Sequence, residues 1–121
     1  MNYNGFEYNE FGVCTNSEIA YQFDKRNDFS FEIKVAETPQ GWVYGYYYSF
    51  LLTAGLKGCW LDSTEICPTK SEAIVLAANC LKELISDKPK YSKANEELDN
   101  IITKEIKPKS QPRQMTIFDY L

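Results

Sequence analysis

Cys14, Cys59, Cys67 and Cys80 are the side chains of this sequence best able to hold a metal or attack an electrophile. Their spacing contains no Cys-x-x-Cys pair, and the chain has no His. A tetrahedral zinc site would have to gather all four thiolates from scattered positions. The expectation is therefore no metal and no cofactor, with reduced, buried thiols. Cys59, next to Trp60, has a nucleophile's sulfur but no imidazole to activate it. Glu96–Glu97 and the Asp62, Glu65 pair offer carboxylates for acid–base work. Without a His, a glycine-rich phosphate loop or ligand spacing, they read as solvated surface charge. The residue types thus predict a binding protein rather than an enzyme.

A second set of residues could bind through their rings. Trp42, Tyr44, Tyr46, Tyr48 and Phe50 recur at every second position. In a strand they share one face, and an exposed face of this kind stacks nucleic-acid bases. Val43, Tyr47 and Leu51 on the opposite face are not polar either. The stripe reads first as a core face, with Tyr44, Tyr46 and Tyr47 as a possible aromatic surface. Only Lys34 and Lys57 are near enough in sequence to hold a phosphate backbone. Nucleic-acid binding is thus a weakly supported alternative.

These side chains need elements to position them. "FSFEIKVA", residues 29–36, alternates apolar and polar positions and predicts a half-buried strand. "ETPQG" supplies a turn, and residues 42–51 a second strand pairing antiparallel with the first. "TAGLKG" reads as a loop and "CWLDS" as a short third strand. Thr69 with Glu72 forms a capping box at the start of a helix over about 70–86, with Ala73, Ile74, Ala77, Leu81 and Leu84 as its apolar stripe. A second helix opens at Ser92, carries Ala94, Leu98, Ile101 and Ile102 on one side, and is expected to stop at Pro108. Residues 1–28 are left without a firm assignment. Phe6 and Tyr8 fit a short extended piece, and Thr15 to Ser17 fit the cap of a short helical turn.

The fold class predicted is α+β: a three-stranded antiparallel sheet packed on one or two helices, with an extended C-terminal tail. The expected parts are the N-terminal segment 1–28, a β-β-β-α-α module over 29–106, a linker over 107–113 and a partner-binding peptide over 114–121. The element order resembles that of AP2-like DNA-binding domains, HicB-like antitoxin domains and the C-terminal part of double-stranded-RNA-binding domains. The layout as a whole is similar to small accessory proteins of phages and bacterial mobile elements. These resemblances imply either a nucleic-acid-binding module or an antitoxin-like protein inhibitor for the body.

The tail carries a more specific signal. "QMTIF", residues 114–118, follows a basic stretch broken by prolines. It resembles the pentapeptide with which many bacterial and phage proteins bind the replication sliding clamp: Gln, an aliphatic residue, Ser or Asp, Leu, Phe. Gln114 and Phe118 match, Met115 fills the second place, Thr116 is a small polar substitute, and Ile117 stands for Leu. The eukaryotic-type motif fits less well, since it wants two aromatics where Tyr120 and Leu121 stand. The resemblance implies a protein partner, the clamp, held by Gln114, Met115, Ile117 and Phe118, with Tyr120 and Leu121 as possible secondary contacts. It covers only this peptide. The competing expectation is that Ile117, Phe118, Tyr120 and Leu121 fold back onto their own domain.

Charge and hydropathy bound the setting. Residues 1–103 carry 9 Lys and Arg against 15 Asp and Glu, whereas residues 104–113 are basic. An acidic body disfavours non-specific phosphate binding. No stretch approaches the roughly 18 apolar residues of a membrane span, and MNYNGFEYNE does not read as a signal peptide. The expected location is the cytoplasm, with no membrane contact. Sequence gives no handle on oligomeric state.

Overall fold

The computed structural model describes residues 1–24, 28–50, 52–61, 63 and 65–110, with the side chains of the last helix described to Ile106. It is an α+β structure. A small hairpin, β1 (Asn2–Tyr3) and β2 (Phe6–Glu7), precedes a four-stranded antiparallel meander. The meander comprises β3 (Glu18–Phe23), β4 (Ser30–Thr38), β5 (Gly41–Phe50) and β6 (Thr53–Lys57), side by side in chain order. Two helices follow, α1 (Lys70–Ile85) and α2 (Ser92–Ser110), joined through a 3-10 turn at Pro89–Tyr91.

The central hairpin forms where alternation predicts it. Thr38 pairs with Gly41 across Pro39 and Gln40, and the register continues to Ser30 opposite Ser49. Side chains of one parity therefore point to the helices: Phe31, Ile33 and Val35 from β4 and Tyr44 from β5 are all buried there. Ala73, Ile74, Ala77 and Leu81 of α1, and Ala94, Leu98 and Ile101 of α2, close the core from above. Thr69 caps α1 as its sequence signature requires, its hydroxyl accepting from the Glu72 amide at 3.2 Å.

Three expectations are corrected. The sheet has four strands, not three, because Glu18–Phe23 is a strand rather than a helical turn. A bulge between Ile19 and Tyr21 breaks the period of two. It turns Ala20, Tyr21 and Phe23 toward the core and leaves Ile19 outside. The residues that resemble a helix cap work on a neighbouring turn instead: Asn16 Oδ1 accepts from the Glu7 amide at 2.7 Å, and Thr15 Oγ1 donates to the Glu7 carbonyl.

The strand after β5 is Thr53–Lys57, the stretch expected to be a loop, and the described residues of "CWLDS" form an isolated bridge from Trp60 to Val13 rather than a strand. Gly55 is the reason. It sits opposite Tyr48, and a Cβ on it would lie 2.3 Å from that ring. The glycine is a bed for a cross-strand aromatic, not a breaker.

The third correction concerns α2, which continues through Pro108 to Ser110. A proline removes one main-chain hydrogen bond there without forbidding helix on either side.

Among the described residues, the face of the sheet away from the helices is covered at one end only. Tyr8, Cys14 and Cys59 pack on Ala36 and Val43 in a second, small core, with Phe6, Leu61 and Ile66 at its edge. Tyr8 anchors the N-terminal segment by donating from its hydroxyl to the Glu37 carbonyl at 2.6 Å. None of the four cysteines is in a disulfide. Burial pushes the Cys59 thiol up to about 12 and also raises Cys14 and Tyr8. The same cause, joined by the Glu105 carboxylate, raises Tyr21 to about 12.

These shifts set an alkaline limit. The groups bind their protons more tightly folded than unfolded, so their contribution is complete below about pH 9, the ordinary thiol value. It is lost as pH rises toward about 12, where the folded Cys59 ionises. Urea titrations at pH 8 and pH 10.5 should differ by on the order of 2 kcal/mol, the alkaline sample being weaker. At pH 8, Cys14 and Cys59 should resist alkylation until urea opens the fold. Equal stability at both pH values would contradict the burial described.

Candidate functional site

Each residue singled out by sequence has a distinct fate. Gln114, Met115, Ile117, Phe118, Tyr120 and Leu121 lie outside the described residues. The tyrosines are within them, and they do not form one aromatic surface. Tyr44 is buried between β5 and α1, and Tyr46 is half-buried on the same face, packed against the main core. Tyr47 has the opposite parity and is exposed on the other face. Strand geometry makes this unavoidable, because neighbours i and i+1 point to opposite sides. The stripe from Trp42 to Phe50 is spent on the core under the helices: Tyr46, Tyr48 and Phe50 form a row of rings, and Tyr48 and Phe50 also pack on Phe29.

Tyr44 sits in a polar cluster. Its hydroxyl donates to Glu65 Oε1 at 2.7 Å and lies 3.5 Å from Cys80 Sγ, while Lys57 Nζ stands 4.9 Å from the ring centroid. Burial first, then the hydrogen bonds to Cys80 and Glu65, raise the phenol strongly, so it stays neutral at physiological pH. A neutral phenol held this way ties the Glu65 loop to the sheet and to α1. Among the described residues, no cluster of three or more His, Cys, Asp or Glu side chains is placed to hold a metal ion.

Two further surfaces of the described residues could meet a partner. One is the uncovered end of the sheet, where Tyr47 stands between Glu32 on β4 and Leu56 on β6. Gln22 Nε2 donates to Glu32 Oε2 at 2.8 Å, and Asp24 borders the same shallow hollow of about 210 Å³. The described residues lining it are largely polar, with Asp24 and Glu32 as their charged members.

The other surface is an apolar groove of about 510 Å³ between the start of α1 and the end of α2. Ile66 and Pro68 form its lip, Val75 and Leu76 its α1 wall, and Ile106 its α2 wall. Leu76 is 38% and Ile106 47% exposed, high for large aliphatic side chains. The helices are fixed beside each other here by Glu105, which accepts from Ser71 Oγ at 2.9 Å and from the Tyr21 hydroxyl.

Compared with known proteins, the chain matches no family model, no curated protein and no solved structure. Its function has to be read from its own residues.

The groove was missed from sequence, though a signal existed. Val75 and Leu76 are apolar but fall off the α1 core stripe, so they mark a second apolar side of the helix. Nothing in sequence says that Ile106 of α2 stands beside them. Among the described residues, no helix is long and apolar enough to cross a membrane.

Proposed function

We propose that this protein is a small non-enzymatic adaptor, recruited to a DNA sliding clamp through residues 114–118. The observation that carries this reading is the peptide QMTIF itself, which begins four residues after the end of α2 at Ser110. An extended segment can offer Gln114 for hydrogen bonds while Met115, Ile117 and Phe118 enter apolar pockets. Binding through such a peptide needs no contact between the body and the clamp. Its placement among phage or mobile-element accessory proteins, and the cytoplasm as its location, belong to the same proposal.

The nucleic-acid reading loses support, since Tyr44 and Tyr46 face the helices and the open sheet end presents Glu32 and Asp24. That acidic patch around Tyr47 favours a second reading for the body, contact with a basic protein partner in the manner of an antitoxin-like inhibitor.

Co-precipitation with a bacterial clamp tests the first reading. The intact chain should be retained, and Gln114→Ala should be retained weakly. Glu32→Lys, on the open sheet face, should bind the clamp as the intact chain does. Equal retention of the Gln114→Ala protein would count against the pentapeptide.

A further inference from the structure

The groove between α1 and α2 lies where the chain leaves its last helix. We propose that its occupant is the protein's own tail: Ile117 and Phe118 dock against Val75, Leu76 and Ile106, in cis. Three observations support this occupant. The first is position. Ile106 is part of the groove wall, and Ser110 lies four residues, about 6 Å of helix rise, beyond it. The eight residues from Ser110 to Phe118 span up to about 26 Å when extended, so the chain can reverse and still cover the groove.

The second is chemistry. The walls are aliphatic, and Glu105 places a carboxylate on the rim beside Ser71. The tail presents Arg113 first, then Met115, Ile117, Phe118, Tyr120 and Leu121. A cation meets the rim carboxylate, and the large apolar groups follow into the cleft. A volume of about 510 Å³ is in the range of pockets that bury several such groups.

The third is tethering. A short linker gives the tail an effective concentration in the millimolar range at its own groove. A separate protein or second copy has no such advantage at ordinary concentrations. Apolar contacts too weak to hold a free peptide therefore suffice in cis.

The docking itself does not depend on the clamp reading. Its consequence does. Ile117 and Phe118 cannot occupy the groove and a clamp pocket together, so docking sets a threshold that a partner has to overcome. A tail docked nine-tenths of the time would weaken apparent partner affinity about tenfold.

Methyl NMR on the full chain tests the proposal. Contacts from the Phe118 ring to the methyls of Leu76 and Ile106 are expected, unchanged on dilution. The Ile117→Ser/Phe118→Ser chain should lose them and shift the Val75, Leu76 and Ile106 methyls. Unchanged methyl positions in that variant would overturn the proposal. Contacts that fade on dilution, with a dimer at high concentration, would overturn it in favour of a second copy. Leu76→Lys, at an exposed position that spares the core, should release the tail and tighten clamp binding about tenfold. Docking contacts without any clamp binding would sustain this proposal and sink the adaptor reading. Clamp binding without docking contacts would do the reverse.

Discussion

Phe29→Ala should cost the fold about 3–5 kcal/mol, the usual range for emptying a buried aromatic site. Phe29 is fully buried just ahead of β4. Its ring centroid lies 5.7 Å from Tyr48, 5.4 Å from Phe50, 6.3 Å from Phe31 and 6.2 Å from Tyr91. The first three belong to the sheet, and Tyr91 closes the turn that leads into α2. One ring thus joins β4, β5 and the helical layer. Removing it forfeits its transfer energy and leaves a cavity that its neighbours cannot collapse to fill, since Tyr48, Phe50 and Tyr91 are already packed on one another. Such a loss is a large share of the roughly 5–15 kcal/mol that holds a domain of this kind together. Urea unfolding measures it directly, and a loss below about 1.5 kcal/mol would mean that the ring is not the joint described.

Gly45→Val should be comparably damaging, for a different reason. A Cβ at this position would stand 2.4 Å from the Lys57 carbonyl oxygen and 3.1 Å from the Gly58 carbonyl carbon. Both are backbone atoms at the end of β6, so relief requires the strand to move away from β5. That movement would strain the Tyr46–Lys57 pair and disturb the Cys59 segment of the small core. Overpacking normally costs about 1–3 kcal/mol and more when backbone has to shift. We expect about 3 kcal/mol, with loss of amide protection along β6. Gly55→Ala makes a second case. Its Cβ would meet the Tyr48 ring, which is stacked on Phe29 and Phe50, so a loss is expected there through a displaced ring rather than a displaced strand. A Gly45→Val protein as stable as the natural one would show that β5 and β6 are not this close.

These two sites also show what a reader of the sequence can and cannot see. Phe29, Phe31, Ile33 and Val35 announce a core strand by alternation, and Thr69 and Glu72 announce the start of α1. Both signals are local, carried by spacing within one element. Gly45 and Gly55 carry the opposite kind of information. Each is glycine because of a group on the neighbouring strand, and sequence alone turned Gly55 into a loop marker. β3 was hidden because its bulge at Ile19 to Tyr21 interrupts the alternation that identifies strands. The fate of Tyr44, Tyr46 and Tyr47 was half legible. Parity separates Tyr47 from the other two, but only the placement of both helices on one face decides which side is buried. The groove is least legible of all, since it needs the relative position of Leu76 and Ile106, thirty residues apart.

Calorimetry of the full chain against a purified bacterial clamp decides whether the tail recruits the protein, with Phe118→Ala compared in the Leu76→Lys background. A buried Phe side chain is worth roughly 1.5–3 kcal/mol, and a peptide of this kind loses ordering entropy as it docks. Binding is expected in the micromolar range, near −8 kcal/mol, and in the tail-released Leu76→Lys background Phe118→Ala should weaken it about 10- to 100-fold. No heat at high micromolar concentration from either the natural chain or the tail-released Leu76→Lys chain, or equal binding by the Leu76→Lys and Leu76→Lys/Phe118→Ala chains, would sink the clamp reading.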